Sequence, residues 1–266
     1  MEVEAQLNKD WGAEGTFVLK KELGEGTFAT VWEAVQTTPG GSVPVAVKVQ
    51  TCSGDITRRR RHLGRWFLEV QALKELQSSE PNHILQYKGH WPETASPPPL
   101  STSTVYIVTE LLLGQELGYF LNDAGFNLTE TEILEHLRQI LTGVSEIHKR
   151  GWIHRDLKLE NVCVVNSGER LYDVIIDFGF AMRQKTADEE GIRRDGNLEY
   201  TAPELDAGRP GEAINIDGRK LDVFACGVIF YILLFGDYPF GEDMGPQTDT
   251  DEIQRNKQGL PPDLIG

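Results

Sequence analysis

The sequence predicts an α+β chain of two lobes, a β-rich one followed by a helical one, and three observations carry that prediction. From Thr16 to Val49, the stretches FVLKKELGEG, ATVWEAVQ and SVPVAVKVQ alternate apolar and polar residues and are separated by Gly- and Pro-containing turns. After Gly114 the apolar period lengthens to that of a helix. The 266 residues, 39% hydrophobic and 25% charged, suffice to bury a core without disulfide staples.

Each element follows in order. Residues 1–16 read as an N-terminal extension. Met1 to Asp10 is polar and acidic, without the basic-then-apolar order of a secretory signal. Three antiparallel strands are expected over Thr16 to Val49. Arg65 to Gln77 changes period: Phe67, Val70, Leu73 and Leu76 recur at helical spacing, with Glu69 off that stripe. Ile84 to Tyr87 and Val105 to Leu111 read as two more strands. Between them PETASPPPLSTS, Pro92 to Ser103, is too polar to pack and reads as a mobile insertion. The first lobe, 17–111, is therefore expected to be a five-stranded sheet with one helix.

In the second lobe, 112–266, Thr129 and Glu132 have capping-box spacing. Ile133, Leu137, Ile140, Leu141, Val144 and Ile147 form the apolar face behind them. Short strands fit Val162 to Val165 and Val174 to Ile176, and Ala225 to Phe235 fits a buried helix. The longest apolar stretch, Val223 to Gly236, falls short of the roughly 18 residues a membrane span needs.

Charge narrows the function. With 26 basic and 41 acidic residues the net charge is −15, which argues against broad nucleic-acid binding and is compatible with basic peptide partners. Cys52, Cys163 and Cys226 form neither a disulfide framework nor a zinc spacing, so a reducing compartment is the simplest inference. Arg58 to Arg61 is a run of four arginines, read as a solvated loop or as a docking patch.

Three constellations carry chemistry. In LGEGTFATV, Leu23 to Val31, Gly24 and Gly26 sit at a strand-to-strand turn. There a bare backbone can approach a phosphate, though a plain β-turn has the same look. No helix follows, which argues against a dinucleotide-binding fold. Lys48, in the apolar strand VAVK, must either emerge at an edge or meet an anion. Glu69 is its preferred counter-ion and Glu75 the rival. HRDLKLEN, His154 to Asn161, brings together a base candidate, Asp156, a cation, Lys158, and a metal-ligand candidate, Asn161. Asp177 follows twenty-one residues after Asp156 in IIDFGFA. Asn and Asp oxygens suit Mg²⁺, a hard ion that bridges substrate phosphates.

In this order the pieces resemble the eukaryotic protein kinase family, from about Phe17 to Phe240. The resemblance implies a two-lobed kinase fold with ATP in the cleft between lobes. It implies transfer of the γ-phosphoryl group to a protein Ser or Thr. Leu23, Gly24, Glu25, Gly26, Thr27, Phe28, Ala29, Thr30 and Val31 would cover the ATP phosphates. Lys48 would contact the α- and β-phosphates while paired with Glu69. Asp156 would accept the hydroxyl proton, Lys158 would stabilise the transferring group, and Asn161 and Asp177 would hold Mg²⁺. Thr109 would be the gatekeeper, and Glu110 to Leu112 the adenine-contacting hinge. Val31, Ala46, Cys163, Val162 and Leu117 would sandwich the adenine, and Glu116 would lie near the ribose. Leu73, Tyr87, His154 and Phe178 would form a stack linking the lobes. Asp222 would brace the catalytic loop, and Ala202-Pro203-Glu204 would close the activation segment.

HRDLKLEN resembles serine/threonine kinases, and DFGFAMR looks like the calcium/calmodulin-dependent and cyclic-AMP-dependent groups. Glu116 and Glu160 match positions that contact substrate arginines, or are ordinary exposed acids. A protein substrate, no nucleic acid, no membrane span and a cytoplasmic setting, with the nucleus open, complete the expectation.

Departures qualify the match. Ala29 replaces the third loop glycine. Between Gly179 and Glu204 the hydroxyl residues are Thr186, Tyr200 and Thr201, and the segment DEEGIRRDGN is acidic. Either Glu189, Glu190 or Asp195 partly neutralises Arg155, giving activity without loop phosphorylation, or the loop is simply acidic and mobile. By resemblance the C-lobe is incomplete after the αG region, short by roughly 40 residues of the usual domain size. Glu204 is then expected to lack its ion-pair partner. An inactive kinase-like scaffold is the alternative reading. A small-molecule or lipid kinase fits the HRDLK spacing and the APE element less well.

Overall fold

A computed structural model describes residues 2–12, 15–26, 29–78, 82–168, 170–194, 197–206, 212–241, 253, 256 and 257. The chain divides into two units, Met1–Ser79 with Leu85–Leu113, and Glu80–Ile84 with Gly114–Gly266.

The first unit opens with helix α1 (Glu2–Trp11) and continues through β1 (Thr16–Glu25), β2 (Thr30–Thr38), β3 (Gly41–Thr51), α2 (Ile56–Leu76), β4 (Tyr87–Trp91) and β5 (Thr104–Glu110). The strands form one antiparallel sheet in the order β1-β2-β3-β5-β4. It is the expected five-stranded sheet, but with two helices instead of one. The acidic N-terminal segment makes the second. Its Leu7 and Trp11 enter the core formed by Phe17, Ala34, Val45, Val47 and Tyr106, and Trp11 meets Phe17 edge-on at 4.9 Å. Edge strand β1 would otherwise offer bare backbone groups. Here the Asn8 side chain donates to the Phe17 carbonyl (2.9 Å) and accepts from its N–H (2.6 Å). Glu4 accepts from Leu19 N–H at 2.7 Å. Trp11→Ala is expected to lower stability by about 3 kcal/mol, the range for truncating a buried aromatic. A urea midpoint equal to wild type would show that α1 is dispensable.

Helix α2 starts nine residues earlier than the periodicity suggests. Asp55 caps it by accepting from Arg58 N–H at 2.8 Å. The arginine run is therefore the first turns of a helix, not a loop. Four charges there hide the apolar stripe from a periodicity reading. The buried side is Leu63, Trp66, Val70, Leu73 and Leu76, with Glu69 on it and Phe67 only half-buried. Strand β4 begins at Tyr87, where the sequence suggested an end. Ile84 instead bridges Ile175 in the second unit. Residues 92–103 carry no helix or strand, but they are tied at their end. Cys52 N–H donates to the Ser103 carbonyl (2.7 Å) and Arg59 donates to the Thr102 carbonyl (3.0 Å).

The second unit contains β6 (Gly114–Glu116), α3 (Leu117–Asp123), α4 (Glu130–Lys149), β7 (Trp152–Ile153), β8 (Val162–Asn166) and β9 (Leu171–Ile175). It continues with β10 (Met182–Arg183), α5 (Gln184–Glu190), β11 (Ile192–Arg193), α6 (Pro203–Asp206), β12 (Ala213–Ile214) and α7 (Gly218–Phe235). The Thr129–Glu132 capping box is formed at the start of α4. The α4 core face is Ile133, Ile140, Val144 and Ile147, joined by His136, Gln139 and Gly143. Leu141 lies on the exposed side. Helix α7 is buried along Leu221, Ala225, Val228, Ile229 and Ile232, but its other face exposes Val223 and Phe235. The fully buried helix expected from its composition is thus only half realised. No helix among the described residues is long and apolar enough to cross a membrane.

Candidate active site

In the first unit the glycine segment is the β1–β2 hairpin. Gly24 lies opposite Val31 and Glu25 opposite Thr30, and Gly26 N–H closes the turn on the Ala29 carbonyl at 2.8 Å. Gly24 has open space where a Cβ would stand, and Leu23 is exposed. At Gly24 the strand end therefore offers bare backbone, as a phosphate-covering loop requires. Thr27 and Phe28 lie outside the described residues.

Lys48 lies on β3 across from Val31 on β2 and Ile107 on β5. Its Nζ meets Glu69 Oε1 of α2 at 2.7 Å. The Glu69 side chain is 6% exposed and that of Lys48 23%, so the pair is largely withdrawn from water with the ammonium on the wetter side. Glu69, not the rival Glu75, makes this bond. Ala46 of β3 faces the buried Thr109 of β5 across the ladder. Glu110 is tied twice to Gln86: its N–H donates to the Gln86 carbonyl (2.9 Å) and its carboxylate accepts from Gln86 N–H (2.8 Å). That carboxylate anchors the strand end, a role the sequence did not reveal. Leu112 follows, half-buried.

In the second unit the catalytic-loop candidates converge. Asn161 Nδ2 donates to both the Asp156 carbonyl (2.7 Å) and its Oδ2 (2.9 Å). The amide nitrogen thus orients the carboxylate, and the amide oxygen is turned away from it. Lys158 Nζ stands 3.9 Å from the same Oδ2. Burial is the main cause raising the Asp156 pKa above its ordinary 3.8, and the negative charge of Asp177 adds to it. Lys158, His154 and the Asn161 bond pull the other way. A carboxylate held reluctantly ionised is a better proton acceptor than a solvated one. Asp177 itself takes a left-handed φ of 57°, and its Oδ1 accepts from Gly179 N–H at 3.2 Å. The Asn161 amide and the Asp177 carboxylate carry the hard oxygens that Mg²⁺ takes. The repulsion between Asp177 and Asp156 is what a bound Mg²⁺ would relieve, so these residues fit that ion.

The loop is held by Asp222. Its Oδ2 accepts from His154 N–H and its Oδ1 from Arg155 N–H, both at 2.8 Å. Arg155 has a φ of 69°, strained for a non-glycine residue, and these two bonds hold it there. His148, from the last turn of α4, adds Nε2 to Asp222 Oδ2 at 2.8 Å. The sequence reading missed His148; its signal was only its place on the helix before HRD. His154 packs edge-on to the fully buried Phe178 at 4.9 Å. The Arg155 guanidinium donates to the main-chain carbonyls of Phe180 (3.3 Å) and Arg193 (3.0 Å), while Glu189 lies 3.8 Å from Lys185. Asp195 lies outside the described residues.

Cys163 and Val162 are buried on β8, and Leu117 is buried at the start of α3. Cys163 lies across from Glu116 of β6. Only glycine fits at 114, since a Cβ there would come within 2.3 Å of the Val164 carbonyl oxygen. Burial, and then the neighbouring Glu160 carboxylate, raise the Glu116 pKa, with Lys158 partly offsetting them. Glu116 and Glu160 thus form one acidic locus near Lys158. Glu204 has no ion-pair partner among the described residues. Asp206, two residues on, takes Lys257 at 2.9 Å and Arg194 at 3.4 Å instead.

The chain is 30% identical over 231 residues to CBL-interacting protein kinase 31 of Oryza sativa subsp. japonica, covering 86% of this chain and 46% of that protein. It is 32% identical over 230 residues to CBL-interacting serine/threonine-protein kinase 17 of Arabidopsis thaliana, covering 86% and 48%. It is 31% identical over 236 residues to CBL-interacting serine/threonine-protein kinase 24 of the same plant, covering 89% and 48%. The chain thus spans about half the length of the curated relatives it matches. The protein kinase domain family matches residues 17–261, nearly the whole sequence from the first strand onward, and the chain belongs to that family.

Proposed function

We propose that the chain transfers the γ-phosphoryl group of ATP to a serine or threonine hydroxyl of a protein, preferring acceptors near arginine. The observation that carries this reading is the setting of Asp156: a buried carboxylate oriented by Asn161, on a loop fixed by Asp222, beside Asp177 and Lys158. Asp156 takes the proton of the acceptor hydroxyl. The hydroxyl oxygen bonds to the γ-phosphorus as the bond to the bridging oxygen breaks, and ADP departs. Lys158 supplies positive charge to the group in transfer, and Lys48, steadied by Glu69, takes the α- and β-phosphates. Bound Mg²⁺, held by Asn161 and Asp177, supplies neutralisation of phosphate charge. Catalysis is then mostly positioning and charge placement.

Two finer assignments belong to the same proposal. DFGFAMR supports a place near the calcium/calmodulin-dependent or cyclic-AMP-dependent groups. Three buried thiols and an acidic balance support a reducing compartment, cytoplasm or nucleus.

The test is transfer of radiolabelled phosphate from Mg–ATP to a degenerate peptide library, with Asp156→Asn as control. Phosphorylated Ser or Thr peptides that vanish in the control support the reading; none, from folded ATP-binding protein, favours the scaffold. The library also reads arginine preference. Glu116→Gln with Glu160→Gln is expected to raise KM for arginine-bearing peptides about tenfold and leave alanine-substituted ones unchanged. Because the Glu116 pKa is raised, it ionises later than an ordinary glutamate. Arginine preference should therefore strengthen as pH rises through that raised value. Equal losses on both peptides would remove the acidic pair from recognition.

A further inference from the structure

We infer that Lys257 is a positioning residue, which holds residues 198–206 in the form that receives the substrate chain beside Asp156. The inference rests on the kinase reading. The Lys257 side chain is fully buried, 0% exposed, an expensive place for an ammonium. All three of its donors are taken: by the Leu198 carbonyl, the Thr201 carbonyl (2.7 Å) and the Asp206 carboxylate (2.9 Å). Burial lowers its pKa, and Asp206 and then Glu199 work against that shift.

The three acceptors lie on one short stretch. Leu198 and Thr201 bracket the 3₁₀ turn Leu198–Tyr200, and Asp206 ends α6. One cation therefore fixes the turn at both ends and ties it to the helix that follows. The Thr201 hydroxyl closes the same turn on the Asn197 carbonyl at 2.8 Å. This stretch is next to the chemistry. A cavity of about 30 Å³ is lined by Arg155, Asp156 and Asn197 together with Tyr200 and Thr201. Displacing the turn would move the wall that faces the proton acceptor. An apolar side chain of the same length would fill the space without joining the carbonyls to the carboxylate. The role belongs to the charge and its three bonds, not to volume.

The full 266-residue chain should be compared with Lys257→Met, Lys257→Arg and Asp206→Asn. One arm measures steady-state kinetics with an arginine-bearing serine peptide, and the other measures amide hydrogen exchange. Lys257→Met is expected to raise the peptide KM about tenfold with the ATP KM within about twofold, the scale of losing a charged hydrogen-bond set. Exchange should accelerate over residues 198–206 and stay unchanged in α4 and α7. Lys257→Arg should recover part of both. Unchanged KM and exchange would overturn the inference, as would acceleration spread through α7, which marks a merely structural residue. If Lys257→Met does not fold, Asp206→Asn decides: local acceleration with a higher peptide KM supports the clamp, and wild-type behaviour refutes it. The exchange arm reads Lys257 whether or not phosphate is transferred. An inactive wild type would sink the kinase reading and leave the clamp to that arm.

Discussion

Asp156→Asn is expected to lower peptide phosphorylation about a thousandfold, within the range for losing a positioned general base, while Mg–ATP affinity stays within about twofold. The separation follows from the local bonds. Asn161 donates to the Asp156 backbone carbonyl as well as to its carboxylate, and an asparagine at 156 still offers an amide oxygen in the same place. The loop keeps its Asp222 brace through His154 and Arg155, neither of which is touched. What disappears is the proton acceptor. The wild-type pH profile supplies an independent check. Asp156 must be ionised to accept a proton, and burial raises its pKa. The acid limb of kcat/KM should therefore fall at a higher pH than an ordinary aspartate, 3.8, would give. Single-turnover transfer at several pH values tests both points. An unchanged rate in the variant would remove Asp156 from the chemistry.

The legible parts of this molecule are those whose physics is local. Asp156, Lys158 and Asn161 fall within six residues, so one short loop brings them together and the motif reads as a site. The Thr129–Glu132 cap and the alternation over β1, β2 and β3 are likewise written in neighbouring residues. Other features needed the tertiary structure. Helix α1 is acidic in sequence, and only the sheet shows that Leu7 and Trp11 are its buried face. The start of α2 is concealed by a run of arginines, of which Arg58, Arg60 and Arg61 face solvent, while Leu63 and Trp66 turn inward. Lys257 sits in a polar run, and nothing near it in sequence foretells acceptors more than fifty residues earlier. His148 is similar, a surface-looking helix end that reaches Asp222 seventy-four residues on.

Lys48→Met is expected to lower transfer by about two orders of magnitude, since the charge proposed to meet the phosphates acts where it is poorly screened. It should also destabilise the first unit by about 3 kcal/mol, because it takes the cation from a carboxylate that is almost wholly buried. The two effects have one origin but separate remedies. Glu69→Gln in the same protein removes the buried charge, so the double variant should regain most of the lost stability. It should regain none of the activity, because no ammonium is left to meet ATP. The pH dependence carries a sign that distinguishes the accounts. Protonation discharges the buried Glu69 carboxyl, so the stability deficit should be largest near neutrality and shrink as pH falls. Urea unfolding of the four proteins, wild type, both single variants and the double, at neutral and mildly acidic pH measures this directly. Additive losses in the double variant would mean that the 2.7 Å contact contributes nothing to stability, and Lys48 would then act through ATP alone.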